Sequence, residues 1–316
     1  MNRILTFMPR ASDTSIPNPA FAMAILANVL WGASFLASKH TLMAWGPFTA
    51  SALRFGIASL CLYLCLMFLG KQIQIPGSLK QWTGLVVVGT TGFGLLFPMQ
   101  LAGLKYIPSG VSAAIMLTSP LIVLALGNAF LGERLSVMKW IALLFGITGG
   151  ILLLFSSKTG AAFELSSDFV LGAFLTLCSS AFLAISVVAS RKVSADISSS
   201  SLTFWSMTIG FAELSLAAFF FEENILASLT AKASLISWIS LFFLAIVCSA
   251  FCFLIWNMAL SKSSSQEIAS SMHIKTPTAV LIGIFIANEV LTAEVLTGTV
   301  LVMMGVWLSQ QKRIIK

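Results

Sequence analysis

The stretch LISWISLFFLAIVCSAFCFLIWNMA, residues 235–259, carries no charged side chain over its whole length. A helix of roughly 20 residues crosses the hydrocarbon core of a bilayer, so this stretch is long enough to span a membrane. Its apolar residues are continuous rather than alternating, which favours a helix over a barrel strand. The stretch therefore predicts an α-helical membrane protein.

The same pattern fills most of the 316-residue chain, which is 58% hydrophobic and 9% charged, with a mean hydropathy of +0.98. Such a composition excludes an ordinary soluble domain. Apolar windows can be cut at 20–39, 47–69, 82–101, 109–131, 137–155, 169–190, 200–221, 235–259, 267–288 and 294–310. The sequence thus predicts an all-α integral membrane protein with ten transmembrane helices.

Loop charges predict the orientation, because cytoplasmic loops carry an excess of Lys and Arg. With a cytoplasmic N-terminus, twelve of these cations fall inside and four outside. We expect a multi-pass protein of the cell inner (plasma) membrane with cytoplasmic tails at 1–19 and 311–316. The net charge of +7 is then an orientation signal, and no nucleic-acid partner is expected.

Three short motifs of the first half recur in order in the second half, about 150 residues later. Ala37-Ser38-Lys39 recurs as Ala189-Ser190-Arg191, Thr118-Ser119-Pro120 as Lys275-Thr276-Pro277, and Gly132-Glu133-Arg134-Leu135-Ser136 as Asn288-Glu289-Val290-Leu291-Thr292. Because each half holds an odd number of predicted helices, the second half enters the membrane from the opposite side. The chain is therefore predicted to contain two inverted five-helix repeats, at 20–156 and 168–310.

Four of the motifs carry a resemblance to a known family, namely Leu30-Trp31-Gly32-Ala33-Ser34-Phe35, Lys39, Leu53-Arg54-Phe55 and Leu131-Gly132-Glu133-Arg134-Leu135. Together they resemble the drug/metabolite transporter (DMT) superfamily in its EamA-type ten-helix branch, over roughly residues 20–310. The second half departs from that pattern, since its first helix lacks Trp-Gly and Asn288-Glu289-Val290 stands where the family often keeps Gly-Glu. The resemblance implies a secondary transporter of small polar metabolites, such as amino acids or related solutes. It also implies export by alternating access, with helices 1, 3, 4, 6, 8 and 9 lining the cavity.

Two other functions stay open. One is uptake or exchange of a nucleoside-like or sulfonium metabolite such as S-adenosylmethionine, which Trp31 and an unpaired Glu213 would suit. The other is a membrane scaffold or receptor-like protein that transports nothing. An enzyme is not expected, because no Asp lies within a predicted span and the chain has no Gly-x-Ser-x-Gly, His-Glu-x-x-His or Walker A string.

No cofactor and no metal site is predicted. The expected partners are the lipid bilayer, a small-molecule metabolite, a proton or an exchanged solute, and a second copy of the chain in a homodimer.

Charged residues at membrane depth usually face a cavity or one another. Arg54 and Glu213 fall at similar depth in equivalent helices, so they are a candidate ion pair that could act as a gate or in coupling. The alternatives are a direct substrate or proton role for Glu213, and a lipid-facing position.

Lys275 lies about eight residues into the ninth predicted helix, two residues before Pro277 and two after His273. Facing the cavity, Lys275 could hold a substrate carboxylate or phosphate, and His273 could carry a proton. Equally, Lys275 could extend toward the cytoplasmic surface. Pro120 and Pro277 are predicted to kink their helices.

Uncharged polar residues and one tryptophan within the spans complete the substrate-site candidates. They are Asn28, Trp31, Ser34, Gln100, Thr118, Ser119, Ser180 and Asn257. Each could instead serve only to join helices, which is the commoner role of a buried Ser or Thr. Asn28, Gln100 and Asn257 rank higher because an amide costs more to bury.

Overall fold

The computed structural model describes residues 19–131, 135–154, 167–194, 196–222, 233–262, 271–289 and 292–310. Within these ranges the regular structure is helical and no strand occurs. The α-helices are α1 (Pro19–Thr41), α2 (Pro47–Phe68), α3 (Leu79–Gly89), α4 (Leu96–Leu104), α5 (Ser109–Met116), α6 (Ser119–Leu131), α7 (Val137–Leu154), α8 (Ser167–Val193), α9 (Ser199–Phe221), α10 (Leu235–Phe242), α11 (Cys252–Lys262), α12 (Lys275–Phe285) and α13 (Ala293–Gln310).

Several of these segments join into longer rods through irregular helical turns. The π-helical turn π1 (Thr90–Leu95) links α3 to α4, and π2 (Phe243–Phe251) links α10 to α11. A 3-10 turn, Ser271–Ile274, leads directly into α12. The π turns lie at corresponding places in the two halves of the chain, and π turns are often found at functional sites.

Seven helical rods in the described part of the chain are long and apolar enough to cross a membrane. They are Pro19–Thr41, Pro47–Phe68, Leu79–Leu104, Ser109–Phe130, Ser167–Val193, Ser199–Phe221 and Leu235–Ala259. Three further helices are also apolar but are shorter, and they are Val137–Leu153, Lys275–Phe285 and Ala293–Ser309. The prediction of an α-helical membrane protein is confirmed, whereas the count of ten spans stays a prediction.

The outer surface of the bundle is apolar. Phe68 is 90% exposed, and Phe219, Phe220 and Phe221 at the end of α9 are also exposed. Exposed apolar surface of this extent is unfavourable in water and favourable against lipid. The chain is therefore a multi-pass membrane protein.

Small residues bring α7 and α13 into close contact. A Cβ added to Gly149 would lie 2.7 Å from the carbonyl oxygen of Gly298, and one added to Gly305 would lie 2.7 Å from that of Ala142. Membrane helices associate through such close backbone contacts because lipid offers little hydrophobic driving force between helices.

A second close contact joins α1 to α12. A Cβ on Gly32 would lie 2.7 Å from the carbonyl oxygen of Lys275 and from Cβ of Thr278. The glycine therefore holds the start of α12 against the middle of α1, and this placement fixes where the Lys275 side chain enters the bundle.

The two ends of the bundle are distinguished by the helix termini that meet there. End A holds the C-terminus of α1 and the N-terminus of α2, where Trp45 packs edge-on against Trp238. End B holds the C-terminus of α2 and the N-terminus of α3, where Trp82 packs edge-on against Trp205. A pair of tryptophans therefore marks each end of the bundle.

Candidate substrate site

Arg54 of α2 is buried in the middle of the bundle, with 4% of its surface exposed. Its Nε donates a hydrogen bond to Oγ of Ser249 in π2, at 2.9 Å. Its guanidinium carbon lies 4.6 Å from the ring centre of Phe97 and 5.2 Å from that of Phe55. Aromatic rings attract a cation through their quadrupole, so these contacts offset part of the cost of burying the charge.

Lys275 is the first residue of α12, and its Nζ lies 5.3 Å from the ring centre of Phe35 in α1. The backbone of Lys275 packs against Gly32 of α1, the residue after Trp31. Trp31 donates to the carbonyl oxygen of Cys248, the neighbour of the Ser249 that Arg54 contacts, so both cations belong to one region. We call this region the central cation site and define it by Arg54, Lys275, Phe35, Phe97 and Ser249.

Trp31 connects α1 to the same region. Its Nε1 donates to the carbonyl oxygen of Cys248, the residue before Ser249, at 2.8 Å. Its ring packs against Phe253 and Trp256. The indole N–H is thus used within the protein, which favours a packing role over stacking on a substrate.

Arg54 and Glu213 do not form the predicted ion pair. Within the described ranges the ion pair present joins Lys39 to Glu289. Arg54 is held instead by Ser249 and aromatic rings, and Oε1 of Glu213 accepts a hydrogen bond from Oγ1 of Thr90 in π1, at 2.5 Å. The two residues have similar predicted depths in the membrane, but their side chains do not contact each other.

Glu213 is half-buried beside π1. Its Oε2 is buried without a hydrogen-bond partner among the described residues. A Cβ on Gly94 would collide with this oxygen, so the glycine provides the space that the carboxyl group occupies.

The other polar candidates are distributed over several helix contacts. Oγ1 of Thr118 and Oγ of Ser180 share a hydrogen bond of 2.9 Å between the α5–α6 turn and α8. Nδ2 of Asn257 donates to Thr203 at 3.3 Å, and Ser34 donates to the carbonyl oxygen of Trp31 in its own helix. These contacts join helices or stabilise one helix.

Asn28, Gln100 and Ser119 keep unused polar atoms. Nδ2 of Asn28 donates to Ala24 and to Ser271, while its Oδ1 is buried without a partner in the described part of the chain. Gln100 and Ser119 are buried, and their side chains make no hydrogen bond to a described residue. Gln100 lies one turn after Phe97 in α4, which places it near the central cation site.

The two predicted kinks differ. α5 ends at Met116 and α6 begins at Ser119, directly before Pro120, so this rod is interrupted at the proline. Pro277 lies in the first turn of α12, where a missing N–H costs little. His273 lies in the 3-10 turn, and its side chain is outside the described residues.

At end A, Glu289 joins three parts of the chain. Its carboxylate accepts from Nζ of Lys39 at 2.7 Å, from N and Oγ of Ser109 at 2.7 and 2.9 Å, and from N of Gly110 at 3.1 Å. Burial raises the pKa of Glu289, but the Lys39 ammonium and the N–H groups that open α5 outweigh it and hold the pKa below its ordinary value. We call this arrangement the Glu289 contact.

Glu222 makes a related contact at the same end. It follows the last residue of α9 and accepts from N of Phe48 at 2.7 Å, and from N and Oγ1 of Thr49 at 3.0 and 2.5 Å. The carboxylate therefore caps the N-terminus of α2, where helix N–H groups lack partners. Sequence patterns did not identify either capping role.

Cavities lie at both ends of the bundle. The end-B cavity has a volume of about 920 Å³ and is lined mainly by apolar residues of α3, α6 and α8, with Lys80 and Lys192 at its edge. The end-A cavity, of about 540 Å³, is lined by Lys39, His40, Lys105 and Glu289 among others. Neither cavity includes Arg54 or Lys275 in its lining.

The profile of the EamA-like transporter family matches this chain twice, over residues 18–155 and 170–310. The chain belongs to the EamA-like transporter family. The resemblance to the drug/metabolite transporter superfamily is thereby confirmed.

Relatives of this EamA protein cover almost its full length. An uncharacterized transporter of Archaeoglobus fulgidus is 25% identical, covering 91% of this chain and 97% of its own. The uncharacterized transporter YvbV of Bacillus subtilis is 24% identical, with 93% and 92% covered. A probable amino-acid metabolite efflux pump of Salmonella typhimurium is 25% identical, with 91% and 93% covered.

A solved crystal structure shares the fold. It superposes with a TM-score of 0.65 at 18% identity and covers 92% of this chain and 96% of the other. At this identity the likeness concerns the fold alone.

Proposed function

We propose that this EamA protein is a secondary transporter that exports small polar metabolites, amino acids or related solutes, across the plasma membrane by alternating access. The observation that carries the proposal is a buried charged site between two cavities at opposite ends. On the continuous rod α3–π1–α4, Phe97 of the central cation site lies between Val87, which lines the end-B cavity, and Leu104, which lines the end-A cavity. A substrate held at such a site could be reached from either end in turn.

The two halves are proposed to be inverted repeats at 20–156 and 168–310, with both termini in the cytoplasm. This is supported by the double match to the EamA profile and by π1 and π2 at corresponding places in the halves. In that orientation end A faces outward and end B faces the cytoplasm.

The Glu289 and Glu222 contacts support a conformation that is closed at end A. Each ties a carboxylate from the second half of the chain to the start of a helix in the first half. The larger cavity is at end B. Export would require the end-A contacts to open once substrate has entered from the cytoplasm.

The direction and substrate class are supported by the Salmonella relative, whose name describes an amino-acid metabolite efflux pump. A cationic sulfonium substrate is disfavoured, because two buried cations would repel it. For the residues the structure describes, no observation favours a scaffold.

Transport by the purified full chain in liposomes tests the proposal. Radiolabelled amino acids, dicarboxylates, sugars and nucleotides are offered with and without a pH gradient, and protein-free liposomes serve as the control. We expect saturable transport of at least one polar metabolite. Failure of every class, together with inaccessibility of cysteines introduced along α6 and α12, would favour a scaffold instead.

A further inference from the structure

The central cation site carries two positive charges and no negative one. No described carboxylate lies within ion-pair distance of Arg54 or Lys275, and the described ion pair is at end A. Charged residues at membrane depth are costly and usually occur in pairs. An unbalanced pair of cations is therefore a feature that needs a counter-charge.

Much of the hydrogen-bonding capacity of the two cations is unused. Arg54 has five N–H donors, of which Nε is bonded to Ser249. Its terminal nitrogens have no hydrogen bond to a described residue, and neither has Nζ of Lys275. The aromatic rings of Phe97 and Phe35 attract the positive charges but accept no strong hydrogen bond.

The counter-charge that the sequence predicted is Glu213, and it is directed elsewhere. Its Oε1 accepts from Thr90, and its Oε2 lies against Gly94. Glu213 therefore contacts π1, whereas Arg54 contacts π2. The missing negative charge is not supplied by the described part of the protein.

We propose that the central cation site binds a carboxylate or phosphate group, and that the transported metabolite carries a net negative charge. The inference rests on the proposed transport function and specifies its substrate class. An anionic oxygen group bound in this site would accept from the free guanidinium nitrogens or from the ammonium, and its negative charge would relieve the repulsion between the two cations. Among amino acids, one with a second carboxylate fits this site better than a neutral zwitterion, because its net charge is negative.

Matched pairs of acids and amides test this charge requirement directly. The purified full chain is titrated with glutamate and glutamine, with succinate and succinamide, and with inorganic phosphate, while binding is measured by calorimetry and by the shift in Tm. We expect each acid to bind at least about tenfold more tightly than its amide, the effect of a charge-assisted hydrogen bond. Competition by phosphate identifies which kind of anion the site prefers.

Variants locate the effect at the two cations. Lys275→Met and Arg54→Met should each weaken acid binding by about tenfold to a hundredfold. Lys275→Arg should retain most of it, since the charge is kept. Lys71→Met, at an exposed lysine after α2, is the matched control and should bind as the wild type does.

Equal binding of acids and amides by the wild type would overturn the inference, as would the absence of acid binding altogether. The comparison of acids with amides uses the wild-type protein, so its outcome holds even if a variant fails to fold. If neutral amino acids are transported as well as acidic ones, the charge requirement is refuted but the proposed transport function is retained. If acids bind tightly but no solute is transported in liposomes, the anion-binding proposal is retained and the proposed transport function is refuted.

Discussion

Replacing Glu289 by Gln should open end A of the protein. The side chain keeps its length, but the negative charge that faces Lys39 and the N-terminus of α5 is lost. In addition, the amide nitrogen of Gln is a donor and would face the backbone N–H of either Ser109 or Gly110. The variant should therefore fold while losing most of the Glu289 contact.

The expected loss follows from the four hydrogen bonds. Bonds to a charged group contribute about 1.5–3 kcal/mol each and neutral ones about 0.5–1.5 kcal/mol. The Lys39 side chain is 29% exposed and contributes less, because solvent screens it. A net loss of about 2–4 kcal/mol is reasonable, which would raise the population open at end A about 30-fold to several hundredfold.

Labelling of a buried cysteine measures this population. Ala113, one turn into α5 and 1% exposed, is replaced by Cys in a chain whose five native cysteines are replaced by Ala. A membrane-impermeant thiol reagent is then added from the outside. Glu289→Gln should accelerate labelling by at least about tenfold, since the rate follows the open fraction when opening is fast.

The control is Glu294→Gln, which removes a fully exposed carboxylate near the same end. It should leave the labelling rate unchanged. If Glu289→Gln also labels at the wild-type rate while remaining folded, the Glu289 contact does not keep end A closed.

Three further predictions follow from the described contacts. First, because the lowered pKa of Glu289 lies below its ordinary value of 4.5, its bonds contribute fully above that pH and are lost as pH falls through the folded value. The Tm advantage of wild type over Glu289→Gln should therefore be largest near neutral pH and shrink below about pH 4.5; a constant difference would contradict this. Second, Gly32→Ala should destabilise by about 1–3 kcal/mol through overpacking between α1 and α12, whereas Gly77→Ala, with open space around it, should leave Tm almost unchanged. Third, Glu222→Gln should cost about 0.5–2 kcal/mol as a lost helix cap of α2, and a denaturation midpoint equal to wild type would show that the cap contributes nothing.

Hydropathy was sufficient to predict the membrane class and most helix positions. The windows at 47–69 and 200–221 agree closely with α2 and α9, because lipid requires a continuous apolar helix and such runs are visible in sequence. In the ninth window, 267–270 are outside the described residues, 271–274 form a 3-10 turn, and α12 begins at Lys275. A 3-10 turn and a π turn have the same composition as an α-helix, so hydropathy could not find them.

Side-chain partners were harder to predict, since depth along a helix says nothing about the direction in which a side chain points. Arg54 and Glu213 share a depth and face different helices. Lys39 and Glu289 were visible as parts of the repeated motifs, yet their contact depends on the position of α5, which sequence alone did not supply. Phe97 and Ser249 carry no sequence signal that separates them from ordinary packing residues, and Phe35 was visible only as the last residue of a family motif. The homodimer and the proton or exchanged solute stay predictions.

Distances across both ends of the bundle test alternating access most directly. One pair of spin labels is placed at the exposed end-A positions Met43 and Ile286, and another at Leu79 and Lys192, which line the end-B cavity. In the wild type the end-A distance should be short and the end-B distance long. Glu289→Gln should lengthen the first and shorten the second, because opening at one end accompanies closure at the other. Lengthening of both distances together, or of the end-A distance alone, would contradict alternating access around the central cation site.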